Sequence, residues 1–189
     1  MAIVARETTK IPGGMPKFWR GEAKMLPGGY RVLNMPPVGT VIDRGVLVYA
    51  DTSKLECRLV ATVKAVENID GTTLAVAKGA FVVVGSTLGK ATGTTANVMA
   101  IDTSNSDKDI LTLSATIAGV VAGDILFDKT NEPNAVVGAV FTVEKATRNV
   151  IDLAYEANVL KDIAAPVPAT WLDGGMCLKN NHSIKYFNQ

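Results

Sequence analysis

The chain has 189 residues, 19 basic against 18 acidic, with 48% apolar and only 6% aromatic residues, 17 Gly and 8 Pro. That length suits one domain, or one with an appendage, and the near-neutral, ordinary apolar balance excludes a disordered polymer. The charge-free stretches 79–89 and 110–123 are too short and too rich in Gly, Thr and Ser to span a bilayer, so no membrane segment is expected. Residues 1–20 carry Arg6, Glu7, Lys10, Lys17 and Arg20 without a continuous apolar block, and no signal peptide is visible. Val and Thr, 23 and 18 of them, make up about a fifth of the chain. Both suit a pleated surface and lose freedom in a helix. With Gly and Pro recurring at short intervals, the expectation is all-β. It takes the form of a small β-barrel or β-sandwich (tulip-like) body with an extended N-terminal arm and a C-terminal appendage holding one short helix.

Residues 1–38 read as the arm. Five of the eight prolines fall here (Pro12, Pro16, Pro27, Pro36, Pro37), among glycines that include Gly28 and Gly29. Proline removes a ladder donor and glycine raises the entropic cost of order, which argues against a continuous sheet. Through Arg31 six basic residues face Glu7 and Glu22, a balance of +4 in a chain whose total is +1. One reading is a solvated, frayed terminus. The other is an arm ordered by a partner, which better suits Phe18, Trp19, Met25, Leu26 and Tyr30.

The body spans 39–149. Val41-Ile42 and residues 46–49 read as short strands split by Asp43-Arg44-Gly45. Residues 59–66 alternate in part (Leu59, Ala61, Val63, Ala65) and lead to the hairpin signal Asp70-Gly71. Strands over 72–77 and 80–84 follow, then a soft Gly/Thr connector over 85–95. Residues 96–102 and 110–115 flank a polar tip at 103–108, while 125–127 and 135–143 complete the body around an exposed loop, Asn131-Glu132-Pro133-Asn134. Glycine recurs weakly between apolar runs, at Gly45, Gly79 and Gly119, with Gly85 and Gly123 after the last two. Such glycines turn corners in small barrels and need no ligand.

Residues 150–189 read as the appendage, packed on the body or on a neighbouring subunit. Apolar positions 151, 154, 155 and 159 have roughly helical spacing, and Asp152 stands where it would cap a short helix. Pro166 and Pro168 force extended backbone, Asp173-Gly174-Gly175 makes a turn, and Met176-Cys177-Leu178 restarts a strand. Residues 183–187 alternate well enough to complete a sheet, within the chain or with a neighbour.

Signatures of catalysis are weak. His182 is the single histidine, with no nucleophile elbow or orienting pattern around it, and its expected role is structural or exposed. Cys57 and Cys177, 120 positions apart, make no redox or ligand motif and are expected as reduced thiols. One His with two scattered Cys supplies no zinc site. Asp102, Asn105, Asp107 and Asp109 have the oxygen content of a calcium loop without its spacing, and a solubilising tip is the simpler account. Gly85-Ser86-Thr87-Leu88-Gly89-Lys90 is followed by Ala91, where a phosphate loop requires Ser or Thr. The sequence therefore predicts no enzyme, no cofactor and no metal. The near-zero net charge argues against nucleic acid. Aromatic and Arg groups are the usual interface anchors, which nominates Phe18, Trp19, Arg20, Tyr30, Arg31, Trp171, Tyr186 and Phe187 as partner contacts.

The stretch Leu26-Pro27-Gly28-Gly29-Tyr30-Arg31-Val32-Leu33-Asn34, followed by Gly39-Thr40-Val41-Ile42-Asp43-Arg44-Gly45, resembles the opening of a phage family. That family is the head-fibre and auxiliary (decoration) capsid proteins of tailed bacteriophages, especially crAss-like phages and prophages of gut Bacteroides-type bacteria. Val76-Ala77-Lys78-Gly79, Ile110-Leu111-Thr112-Leu113-Ser114 and Ala122-Gly123-Asp124-Ile125-Leu126 are similar to its central body. Trp171-Leu172-Asp173-Gly174 and Leu178-Lys179-Asn180-Asn181 are similar to its ending. The resemblance covers about residues 26–189 and carries no catalytic pattern. It implies a virion protein made in the host cytoplasm and seated on the outer surface of the capsid. Its implied partners are the major capsid protein, its own copies (trimers suit threefold positions) and a possible fibre protein. The alternative reading is a module displayed on the virion that binds host-surface glycans through loops 102–109 and 128–134, and the third is a small hydrolase using His182.

Overall fold

The computed structural model describes residues 23–78, 81–145, 150–161 and 164–188. From the N-terminal side the strands are β1 (Lys24–Met25), β2 (Tyr30–Val32), β3 (Val41–Ile42), β4 (Leu47–Asp51) and β5 (Glu56–Leu59). There follow β6 (Thr62–Lys64), β7 (Thr73–Ala77), β8 (Thr87–Gly89), β9 (Thr95–Asp102), β10 (Lys108–Leu113) and β11 (Ile125–Phe127). The last are β12 (Ala135–Val137), β13 (Phe141–Thr142), β14 (Val150–Ile151), β15 (Leu153–Leu160), β16 (Leu172–Asp173), β17 (Cys177–Leu178) and β18 (Asn181–Phe187). One 3-10 turn, Ala169–Trp171, precedes β16. The protein is all-β.

The first sheet closes on itself. β2 pairs in parallel with β5, and β5–β4 and β4–β12 are antiparallel. β12 then pairs with β15 while β2 pairs with β14, and β14 and β15 are one run broken only at Asp152. The result is a five-stranded barrel. Alternate residues fill it: Tyr30, Val32, Val48, Ala50, Cys57, Leu59, Ala135, Val137, Ile151 and Leu153 are all buried in one cluster. The β3–β13 pair adds Ile42 and Val143 to that cluster.

The second sheet runs β6-β11-β8-β9-β10-β7, every pair antiparallel. Ala65 bridges to Val76, and the Val66 amide donates to the Ala75 carbonyl at 3.0 Å. Strand β7 thus returns to β6 and a six-stranded barrel closes. Period-two alternation sends Val63, Leu74, Val76, Leu88, Ala96, Val98, Leu111, Leu113 and Leu126 inward, all buried. Closure also removes the open ladder edges through which β-proteins aggregate.

The second barrel is inserted between β5 and β12 of the first. The chain leaves at Val60-Ala61 and returns after Phe127, where the Asp128 amide donates to the Ala61 carbonyl at 2.9 Å. Over this crossing lies the C-terminal segment, in which β18 pairs in parallel with β15 and antiparallel with β17, and β17 pairs with β16. The last strand therefore completes a sheet within the chain. Its core joins Leu47, Val60 and Phe127 to Trp171, Leu178, Ile184 and Tyr186. The Phe127 and Trp171 rings meet edge to face, their centroids 4.6 Å apart.

Several expectations are corrected. Residues 151–160 form strand rather than helix, because both faces of β15 are covered and the apolar residues no longer alternate. Leu153 faces the barrel interior, whereas Ala154, Ala157 and Val159 face the C-terminal core. The ladder is also irregular opposite Tyr155, where Lys24 pairs with Glu156 but Met25 with Ala154. The expected strand 59–66 is split where the chain changes barrels, and Leu59 to Val63 are all buried as it crosses. The expected connector 85–95 contains β8. Residues 81–84 contribute only a bridge from Phe81 to Thr62 before the turn closed by the Ser86 amide on the Val83 carbonyl. Asn134 is not a free loop residue: its side-chain amide donates to the Ala50 carbonyl at 2.9 Å and accepts from the Ala50 amide at 2.8 Å. The boundaries expected at 38/39 and 149/150 fall within the first barrel, which takes β2 from one side and β14–β15 from the other. Of the expected arm, residues 1–22 lie outside the described residues, and Lys24–Met25 and Tyr30–Val32 are sheet.

Trp171→Ala removes the largest side chain over the crossing and should cost about 3–5 kcal/mol. Chemical denaturation reads that loss. Hydrogen exchange should quicken along β18 while β9 and β10 keep their protection, and equal acceleration in both barrels would show that the inserted barrel has no stability of its own.

Candidate functional site

With both barrels filled by side chains, recognition falls to the outer surfaces. The best-defined surface is the outward face of β2, β5 and β4 with β14. Cross-strand register sets two rows on it. One holds Val150, Arg31, Glu56 and Asp51, and the other Leu33, Arg58 and Tyr49. Leu33, Tyr49 and Val150 are exposed although large and apolar, as is Leu55 at the β4–β5 turn, with 45% of its surface in solvent. Arg31 is ion-paired with Glu56 on the neighbouring strand, and Lys54 pairs with Asp51 at 3.3 Å. Arg58 has no ion-pair partner among the described residues, and it stands between Leu33 and Tyr49. Apolar side chains around an unpaired guanidinium have the composition of an interface centre.

Two backbone features hold this face. Leu55 has φ +54°, a left-handed conformation that a side-chain-bearing residue adopts only where its surroundings fix it. Its carbonyl accepts from the Arg31 amide at 2.9 Å. Beneath it runs the Gly28-Gly29 turn between β1 and β2. Gly29 has φ +64°, and a Cβ there would lie 2.5 Å from the Val150 side chain. Glycine alone lets the turn approach so closely. Of the Leu26–Asn34 stretch, Arg31 and Leu33 thus stand on this face and Gly28-Gly29 pack close to its Leu55 and Val150. Beside the face opens a cleft of about 340 Å³ between the barrels, walled by Met35, Pro36, Phe81 and Val83, with Arg58 and Asp128 among its charged residues. Asn34 fixes its rim by donating to the Leu59 carbonyl and accepting from the Leu59 amide, at 2.8 and 2.9 Å.

The nominated contact residues divide. Phe18, Trp19 and Arg20 lie outside the described residues. Arg31 stands on the face just described, and Phe187 is half-buried at the end of β18. Tyr30, Trp171 and Tyr186, only 2%, 4% and 1% exposed, are core residues of the subunit and not surface anchors. Aromatic content marked burial here rather than recognition. The sequence sets Tyr49, Leu55 and Arg58 apart only through an apolar residue, Leu55, ending the polar turn Asp51-Thr52-Ser53-Lys54.

Titratable groups elsewhere are dispersed. His182 is exposed, 3.4 Å from the equally exposed Asp173. Cys57 is buried and Cys177 half-buried, both free, and burial pushes the Cys57 thiol up to about 12. Among the described residues no group of three or more His, Cys, Asp or Glu could hold a metal ion, and no helix is long and apolar enough to cross a membrane.

Gly29→Ala should destabilise by about 1–3 kcal/mol, since it combines a left-handed backbone with a clash against Val150; the thermal midpoint measures it, and an unchanged midpoint would show that the turn relaxes freely. A thiol reagent at pH 8 should label Cys177 alone until denaturant is added, because the Cys57 thiol is both protonated and enclosed. Mass spectrometry of the native protein checks this, and equal labelling would contradict the burial. No protein-family model, curated protein or solved structure matches the chain.

Proposed function

We propose that this chain is a structural virion protein, seated on the outer surface of a tailed-phage head as an auxiliary (decoration) or head-fibre subunit. The observation that carries the reading is the face of β2, β5, β4 and β14, where exposed Leu33, Tyr49, Leu55 and Val150 surround Arg58. The stretch that resembles the phage family, Leu26–Asn34, contributes Arg31 and Leu33 to this face. Two side-chain-filled barrels give a rigid body, so binding a lattice costs little ordering entropy. Many copies on one particle make modest individual contacts effective.

The test uses heads that lack the protein. Tyr49→Ala with Arg58→Glu should fold normally, since both side chains are exposed, yet bind heads on the order of 30-fold more weakly, about 2 kcal/mol. Co-sedimentation with purified heads reads the binding. If the wild-type chain fails to sediment with heads, the virion reading is overturned. If the variant saturates them like the wild type, this face is not the attachment surface.

A further inference from the structure

A second cavity, of about 310 Å³, lies where the inserted barrel, the segment after β15 and the end of β18 meet. Lys64 of β6 and Ile125 of β11, a cross-strand pair, form one wall. Lys161, Pro166, Val167 and Tyr186 form the others, and none of the described lining residues is acidic. Lys24, Lys54, Lys78, Lys90 and Lys108 each pair with a carboxylate. Lys64 and Lys161 have no carboxylate partner among the described residues, and Lys161 donates only to the Gly175 carbonyl, at 2.9 Å.

Tyr186 adds an independent observation. The residue is 1% exposed and its hydroxyl is buried with no hydrogen-bond partner. Leaving a buried hydroxyl unsatisfied is costly, and such groups call for a specific explanation. Burial raises the phenol above its ordinary range, so it stays protonated and remains a donor. Two lysines without a carboxylate partner among the described residues and a tyrosine with an orphan hydroxyl therefore line one cavity with aliphatic walls at Ile125, Pro166 and Val167.

We propose that this cavity binds an organic carboxylate with a short apolar tail, the carboxylate taken by Lys64, Lys161 and the Tyr186 hydroxyl and the tail lying against Ile125 and Val167. A free aliphatic acid and the C-terminus of a chain ending in an aliphatic residue present the same chemistry. This site is separate from the face assigned to the capsid and does not depend on that assignment.

The full chain, isotope-labelled, is titrated with hexanoate and with a short acetylated peptide ending in leucine; hexanol and the peptide amide are the uncharged controls. Saturable amide shifts around 123–125, 164–167 and 186 at millimolar ligand are expected for one or both acids and for neither control. Hexanoate binding identifies a free acid as sufficient, and binding of the peptide alone identifies a chain terminus. Lys64→Met with Lys161→Met should weaken binding about tenfold or more. Tyr186→Phe should also weaken it while leaving the unliganded thermal midpoint unchanged or higher, which a merely structural hydroxyl would not do. The proposal is overturned if neither acid gives saturable shifts, if the controls bind equally, or if the double lysine variant binds as the wild type does.

Discussion

Everything in this molecule hangs on one run of chain, residues 150–160. Its first residues close the five-stranded barrel against β2 and β12, and its remainder leaves the barrel to carry β18. A strand with that double duty must be covered on both faces. Ile151 and Leu153 belong to the barrel interior, while Ala154, Ala157 and Val159 belong to the core under Trp171. The two cores are therefore coupled through a shared backbone, whereas the six-stranded barrel meets them at its two crossings, under Phe127, and through Phe81, Val83 and Ile125.

The same strand marks where sequence reading succeeds and fails. Strands buried on one face are legible: Thr95 to Val98 of β9 and Leu111 to Leu113 of β10 alternate, and the Asp70-Gly71 turn and a polar tip within 103–108 fall where their residues predict them. Residues 151–160 read as helix because a doubly covered strand loses its period of two, and spacing alone cannot then separate it from a buried helix. Closure was illegible for another reason. That β11 returns to β6, or that β14 meets β2 across more than a hundred residues, follows from pairings that leave no local pattern.

The surface was harder still. Aromatic residues read as anchors in the sequence, yet in a chain with few of them Tyr30, Trp171 and Tyr186 fill space that smaller side chains would leave empty. The large apolar residues left exposed on the candidate face are aliphatic except for Tyr49, and only register identifies them as neighbours of Arg58. Leu33, Arg58 and Tyr49 come from three strands and sit side by side because β5 runs parallel to β2 and antiparallel to β4.

The crossing between barrels has a consequence for how such a protein changes over time. The inserted barrel departs and returns through residues one hydrogen bond apart, Ala61 and Asp128. Its two ends thus occupy the footprint of a single tight loop on the host barrel. A unit joined in that way can lengthen, shorten or be exchanged for another with matching ends, and the host's strand order stays intact. Apart from Phe81, Val83, Ile125 and Phe127, which pack on the host, residues 62–127 answer to their own core, while the sheet that carries Arg58 and Tyr49 stays under a separate constraint.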